Sequence, residues 1–339
     1  MSIEVVSLFS GAGGLDLGFE KAGFSIKWAN EFDKRIWDTF EHNFPNTKLD
    51  HRSITDVKED EIPTCDGIIG GPPCQSWSEA GAGRGINDAR GQLFYDYIRI
   101  LKAKQPKFFL VENVSGIISA RHRKSFDYFL ELFENCGYTI NWKLVNANDY
   151  DVPEDRERVI IVGFRKDFDK KFEFPKPHKF KPTLMDAIGD LPDAIPALEK
   201  NKTTGDKSTI ELRGNKITNQ EYMTGGFSPI FMSRNRVRTW DEPSFTIQAG
   251  GRQAPIHPKA PIMPKIAANK RIFEPGHENE YRRLSVRECA RIQTFPDRYK
   301  FIYTDIADGY KMIGNAVPVN LAFNLAKAIK QQLFGDKYE

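Results

Sequence analysis

Apolar and polar positions in the first half of the chain switch between two periods. Residues 4–9, Glu-Val-Val-Ser-Leu-Phe, read as a buried strand, and after a glycine-rich turn the spacing predicts a helix over about 15–22. A second strand at 25–30 leads into a helix over 34–43. Short apolar runs at 66–69, 108–111 and 159–162 are further strands, with helices at 92–104 and 123–136 among them. The latter helix sets Phe126, Phe129, Leu130 and Phe133 on one face. Strands alternating with helices require a mostly parallel sheet with helices on both faces, an α/β, Rossmann-like architecture.

After residue 174 the texture changes. Pro175, Pro177 and Pro182 interrupt any long element, and the chain is loop-rich to about residue 280. Phe227, Ile230, Phe231, Trp240, Phe245 and Ile247 still supply a core, so this stretch reads as a smaller, irregular domain. Near the end Pro318 suits a helix start, with Ala322, Leu325, Ala326, Ile329 and Leu333 as an apolar stripe behind it. The expected organisation is a catalytic and cofactor-binding domain over 1–174, a target-recognition domain over 175–304, and a segment over 305–339 returning to the first domain.

Composition narrows this picture only a little. With 40% hydrophobic and 28% charged residues, the 339-residue chain is globular and large enough for about two domains. No apolar run approaches a membrane span, and the strand-like start argues against a signal peptide or anchor, so a cytoplasmic protein is expected. Cys65, Cys74, Cys136 and Cys289 show no C-x-x-C spacing, which argues for reduced thiols and against a zinc site or disulfide framework. The net charge of +3 conceals a local concentration at Arg234, Arg236, Arg238 and Arg252.

Four constellations carry candidate chemistry. Phe9-Ser10-Gly11-Ala12-Gly13-Gly14 lies between a strand and a helix, where glycines let backbone approach a ligand. Glu31 follows at the end of the next strand, where an acid can bind ribose hydroxyls. Taken alone this could serve a dinucleotide, but Asp16 stands where the third glycine of that fingerprint belongs; a carboxylate repels pyrophosphate and tolerates a sulfonium cation. Gly71-Pro72-Pro73-Cys74-Gln75-Ser76 follows a strand, and its prolines hold the Cys74 thiol at the strand end as a candidate nucleophile. Glu112-Asn113-Val114 ends the neighbouring strand and offers a carboxyl to the same edge. Asp155-Arg156-Glu157-Arg158 precedes the 159–162 strand; such a run is ordinarily a solvated turn, but here alternation turns at least one arginine towards the pocket.

These motifs, in this order, resemble the cytosine-C5 DNA methyltransferase family. Arg283-Leu284-Ser285-Val286-Arg287-Glu288, Gln293-Thr294-Phe295-Pro296 and Gly314-Asn315-Ala316-Val317-Pro318 extend the match over nearly the whole chain. The segment from Ser233 to Arg238, with Gly250-Gly251-Arg252-Gln253 after it, is most similar to the GGCC-recognising HaeIII-type members. The resemblance implies methyl transfer from S-adenosylmethionine to a cytosine flipped out of double-stranded DNA. In that scheme Cys74 adds to C6, Glu112 stabilises the developing charge, and Arg158, supported by Arg156, faces the base O2. Cofactor contacts carry over to Phe9, Gly11, Gly13, Gly14, Leu15, Glu31, Phe32, Ile54, Leu93, Asn315 and Val317. Ser78, Arg84 and Arg90, in a glycine-rich loop, and Arg234, Arg236, Arg238, Arg252 and Gln253 become DNA contacts.

Two positions depart from the family pattern. Ser53 replaces an acid that receives the adenine amine, which implies a weaker contact. Glu154 replaces a glutamine and is expected to put charge at the pocket's rim. No metal is implied. The expected enzyme is a monomer in a bacterial cytoplasm that protects DNA from an endonuclease of the same specificity. A transfer-RNA methyltransferase of the same fold is disfavoured by the large arginine-bearing second domain. A catalytically inactive DNA-binding relative is disfavoured by the presence of Cys74, Glu112 and Arg158, and a nicotinamide oxidoreductase would leave those residues without a role.

Overall fold

The first strands and helices follow the apolar pattern closely. They are β1 (Ile3–Leu8), α1 (Gly14–Lys21), β2 (Phe24–Asn30), α2 (Lys34–Asn43), β3 (Lys48–Asp50) and β4 (Gly67–Gly70). Then come α3 (Ala89–Lys104), β5 (Phe108–Val114), α4 (Arg123–Asn135), β6 (Tyr138–Asn146) and β7 (Glu157–Arg165). The computed structural model describes residues 2–73 and 89–335, with side chains from Leu93 onward in the second stretch. Contacts divide the chain into two compact units, Met1–Asn146 with Glu157–Pro177 and Leu321–Glu339, and Ala147–Arg156 with His178–Asn320.

The first unit holds a seven-stranded sheet in the order β3-β2-β1-β4-β5-β7-β6. β1 to β5 run parallel, while β7 pairs antiparallel with both β5 and β6. This is the mostly parallel α/β sheet that the alternating pattern requires. On one face Val6, Leu8, Ile68, Phe109 and Val111 meet Phe94, Tyr97 and Leu101 of α3 and Phe126, Phe129 and Phe133 of α4. On the other, Phe19 of α1 and Phe24 and Phe108 of the strands form an aromatic cluster with Phe334. β5 runs past its apolar stretch because Glu112 and Asn113 keep their places in the ladder opposite Ile160 and Val159. β3 and β6 were not evident in the sequence; half-exposed polar positions, as in Tyr138–Asn146, dilute the apolar signal.

The second unit has little regular structure, as its prolines imply. Its helices are α5 (Leu184–Ile188), α6 (Val286–Ile292) and α7 (Ile306–Asn315). Ser285 and Glu288 form a capping box that starts α6. The expected boundary at 174/175 compares with 177/178 in the structure, and residues 147–156 also belong to the second unit. The chain returns to the first unit at Leu321, within α8 (Val319–Phe334), not at 305. α7 is held in the second unit by Tyr310, whose hydroxyl donates to Leu284 O (2.5 Å) and accepts from Met223 N (3.2 Å). Gly314 lies so close to the Gln248–Ala249 backbone that a Cβ would come within 2.3 Å of it. Among the described residues no helix is long and apolar enough to cross a membrane.

Candidate active site

Strand order reverses around β1, which lies between β2 and β4, and in such sheets a crevice opens at the carboxyl ends of the strands flanking the reversal. Phe9 leaves β1 there with a left-handed backbone (φ 56°), a conformation that is costly for a residue with a Cβ. Ser10 N donates to Asn30 O (3.1 Å) and Gly13 N to Ser10 O (3.0 Å), which hold the turn. Gly11 (φ 55°) and Gly13 (φ 75°) take the same region without that penalty. Glu31 is fixed above the turn, its carboxylate accepting from Gly11 N (2.9 Å) and Asp33 N (2.7 Å). Beside it Phe32 is 70% exposed, while Leu15 and Ile54 are buried and Leu93 is partly buried. Gly14 opens α1.

A backbone turn with open space at Gly11, a preset carboxylate and an exposed ring suit a ligand with ribose hydroxyls and a positive centre. Asp16 takes no direct part. Its side chain, on α1, is wholly buried beside the Ser7 hydroxyl, with no charged partner among the described residues. The carboxylate expected to repel pyrophosphate from the helix start is instead a buried acid whose pKa burial pushes up to about 7. Because the folded state binds this proton more tightly than the unfolded chain, its stabilising share is lost as pH rises towards 7. Asp16→Asn should gain on wild type by about 2 kcal/mol between pH 5.5 and 7 and no further above pH 8. Urea denaturation of both proteins across that range checks it; a constant difference would place the titration elsewhere. Ser53 has its hydroxyl 2.8 Å from that of Thr55.

The neighbouring strand ends bring a second group together. Arg158 Nε donates to Glu112 Oε1 (2.8 Å), with both side chains largely buried. Arg158 lies opposite Val114, so it meets Glu112 diagonally across the antiparallel ladder. Asn113 turns the other way, its Nδ2 donating to Pro72 O (2.9 Å) while its Oδ1 accepts from Val114 N (2.9 Å). A Cβ on Gly71 would come within 3.1 Å of Glu112 Oε2, so the glycine keeps the Gly-Pro-Pro turn close to this carboxylate. Asn113 and Gly71 escaped the sequence reading as site residues although both stand inside motifs it singled out. Cys74, Ser78 and Arg84, and the side chain of Arg90, lie outside the described residues. Of the other thiols, burial pushes Cys65 up to about 12, raises Cys136 and raises Cys289 well above the ordinary range, which keeps all of them protonated.

Arg156 does not join the Glu112–Arg158 pair. It is fully buried in the second unit, donating to Ile247 O (2.9 Å), Gly314 O (2.8 Å) and Ala316 O (2.9 Å). Glu154 is likewise buried and not at a rim: its Oε1 accepts from Ile247 N (2.6 Å) and lies 3.6 Å from Arg156 Nη1. The support expected of Arg156 beside Arg158 is thus replaced by a structural role, because the strand alternation that faces Arg158 inwards begins only at Glu157. Arg156 joins the carbonyls on either side of Asn315, itself exposed, while Val317 is buried.

The expected DNA-reading arginines are unlike one another. Arg234 and Arg252 are exposed, and Gln253 is half-buried. Arg236 is buried, with Nε donating to Phe231 O (2.9 Å) and Nη2 to Ile230 O (3.2 Å). Arg238 is taken up on both terminal nitrogens, by Glu242 (2.9 Å) and Asp155 (3.0 Å), and lies over the Phe245 ring. Arg238 thus already has protein partners on both terminal nitrogens in the free protein.

An α/β sheet with a glycine turn, an acid held against it and a Glu–Arg pair at its carboxyl edge defines the class as a Rossmann-like methyltransferase. The family model for C-5 cytosine-specific DNA methylases matches residues 3–331, and the chain belongs to that family. It is 58% identical over 337 residues to the Type II methyltransferase M.NgoPII of Neisseria gonorrhoeae, covering 98% of this chain and 96% of that one. It is 57% identical to M.FnuDI of Fusobacterium nucleatum, covering 98% and 95% of the two chains. The methyltransferase EhMeth of Entamoeba histolytica has the same fold, with a TM-score of 0.69 at 17% identity over 98% of this chain and 99% of that one. The protein is an S-adenosylmethionine-dependent DNA (cytosine-5-)-methyltransferase acting on double-stranded DNA.

Proposed function

We propose that the enzyme methylates the inner cytosine of GGCC, with Cys74 as nucleophile and Glu112 and Arg158 as the groups that stabilise the activated ring. The observation that carries the chemical assignment is the 2.8 Å Glu112–Arg158 pair beside the Gly71-Pro72-Pro73 turn that leads to Cys74. In this reading the Cys74 sulfur adds to C6 of the flipped cytosine and makes C5 enamine-like. Glu112 holds the proton that neutralises ring N3, and Arg158 faces O2. Loss of the C5 proton then expels Cys74 and restores the ring. S-adenosylmethionine, when bound, supplies the methyl group as an electrophilic sulfonium. Phe9, Gly11, Gly13, Gly14, Leu15, Glu31, Phe32, Ile54 and Leu93 would hold it, Glu31 at the ribose, and the family resemblance adds Asn315 and Val317.

The second unit is assigned to target recognition. Arg234 and Arg252, exposed and without an ion-pair partner among the described residues, are the foremost candidates for bidentate contacts to guanine. Arg236 stiffens the segment that carries Arg234, Gln253 adds to the reading surface, and Ser78, Arg84 and Arg90 are given to the DNA by the resemblance alone. The Type II names and bacterial sources of these relatives accord with a bacterial enzyme paired with an endonuclease of the same specificity, and we take it to be a cytoplasmic monomer.

Tritium-labelled cofactor and duplexes carrying 5-fluorocytosine test these assignments, because fluorine at C5 blocks the final elimination. A labelled covalent adduct at the inner cytosine of GGCC, lost with Cys74→Ala, is expected. An adduct confined to other sequences would discard GGCC and keep the chemistry. No adduct on any duplex would overturn the nucleophile.

A further inference from the structure

Within the second unit the segment that carries Arg234 is built as one piece with an exposed hairpin further along the chain. Phe231, Val237, Ile256, Ala260, Met263 and Tyr281 share a small core. Asn235, next to Arg234, accepts on Oδ1 from both Val237 N and Met263 N (3.2 Å each). From Met263 the chain runs into a strand, Lys265–Ala267, paired antiparallel with Lys270–Arg271. Arg271 Nη1 donates back to Met263 O (2.5 Å), and Ile272 N to Pro264 O (3.1 Å), closing the base of the hairpin.

The charge pattern of this hairpin is wrong for stability alone. Lys265 faces Arg271 directly across the strands, and like charges in that position destabilise a two-stranded ribbon. The other exposed hairpin of the unit, over 210–217, sets Glu211 opposite Lys216, the favourable arrangement. Residues 265–270 are all exposed, and neither Lys265 nor Lys270 has a carboxylate within ion-pair distance among the described residues. Lys259 and Lys202 of the same unit do, with Asp193 and Asp305. The acids of the turn after the hairpin, Glu274, Glu278 and Glu280, make no ion pair with its lysines among the described residues, and Glu280 pairs instead with His277 (2.7 Å).

We propose that this hairpin grips the phosphodiester backbone of duplex DNA, with Lys265 and Lys270 on phosphates flanking the bases read from the Arg234 segment. The inference rests on the assignment of that segment to DNA. Unpaired like charges on a rigid ribbon are costly in the free protein and are relieved by an anionic ligand, and a polyphosphate backbone is the anion this enzyme always meets. Phosphate contacts fix register and carry no sequence information. The lysines therefore add affinity on every sequence alike.

Binding of the full-length double variant K265Q/K270Q to GGCC and non-GGCC duplexes, by fluorescence anisotropy across a salt series, tests this. Losing two phosphate contacts should flatten the slope of log affinity against log salt by about 1.8. Wild type should then lose about twelvefold more affinity than the variant between 50 and 200 mM salt. The ratio between the two duplexes and kcat at saturating DNA should stay unchanged and the melting temperature should not fall, since like-charge repulsion is relieved; all readings for K216Q should match wild type. An unchanged slope would overturn the proposal, as would a loss confined to GGCC. If Arg234→Ala and Arg252→Ala leave binding and sequence preference intact, the underlying assignment of the segment falls, whatever the hairpin does.

Discussion

Glu112→Gln is expected to lower kcat by about 10²–10⁴-fold while the melting temperature and the Kd for S-adenosylmethionine stay close to wild type. The replacement is isosteric, and its carbonyl oxygen can still accept from Arg158 Nε across the 2.8 Å contact, so the ladder between β5 and β7 has no reason to move. What is lost, under the proposed mechanism, is the charge and the ability to hold a proton at ring N3. Activation of C5 requires that charge to be neutralised as the sulfur adds, so the effect belongs in the chemical step and not in binding. Single-turnover methylation at saturating DNA and cofactor reads it. Arg158→Ala should lose activity too, and the double variant should lose little more than the worse single one, because the two groups act as a unit. Full activity of Glu112→Gln would remove this carboxyl from the mechanism.

Arg156→Met is expected to destabilise the second unit by about 3–5 kcal/mol, a large share of what holds any domain together. Its fully buried guanidinium serves the carbonyls of Ile247, Gly314 and Ala316, and methionine would leave all of these acceptors and the Glu154 carboxylate without it in a site closed to water. Glu154→Gln should cost far less, within about 1 kcal/mol. Glutamine can still accept from Ile247 N, and Arg156 keeps its carbonyls. Urea denaturation followed by tryptophan fluorescence, to which Trp240 of this unit contributes, separates the two outcomes. Equal and small losses would mean that the buried pair contributes nothing beyond its volume.

Much of this protein was legible without coordinates. The alternation of apolar runs and helical stripes determines the parallel sheet, because strands buried on both faces need helices to cover them. The glycine turn, Glu31 and Glu112 could be named as candidates from local rules, a backbone without Cβ at a strand end and an acid at the next strand end, whereas alternation left Arg156 and Arg158 open and only the family resemblance singled out Arg158. The choice between the two arginines was decided by the tertiary structure. Nothing within the Glu154–Arg158 segment indicates that Arg156 finds its carbonyl partners at Ile247, Gly314 and Ala316, far along the chain. Arg234, Arg236 and Arg238 likewise look equivalent as letters in alternating positions. The fold exposes the first, buries the second against the carbonyls of Ile230 and Phe231, and pairs the third with Asp155 and Glu242. A guanidinium on a long stem is directed by whichever acceptors the tertiary structure brings within reach, and those acceptors are set by long-range packing that local pattern does not encode.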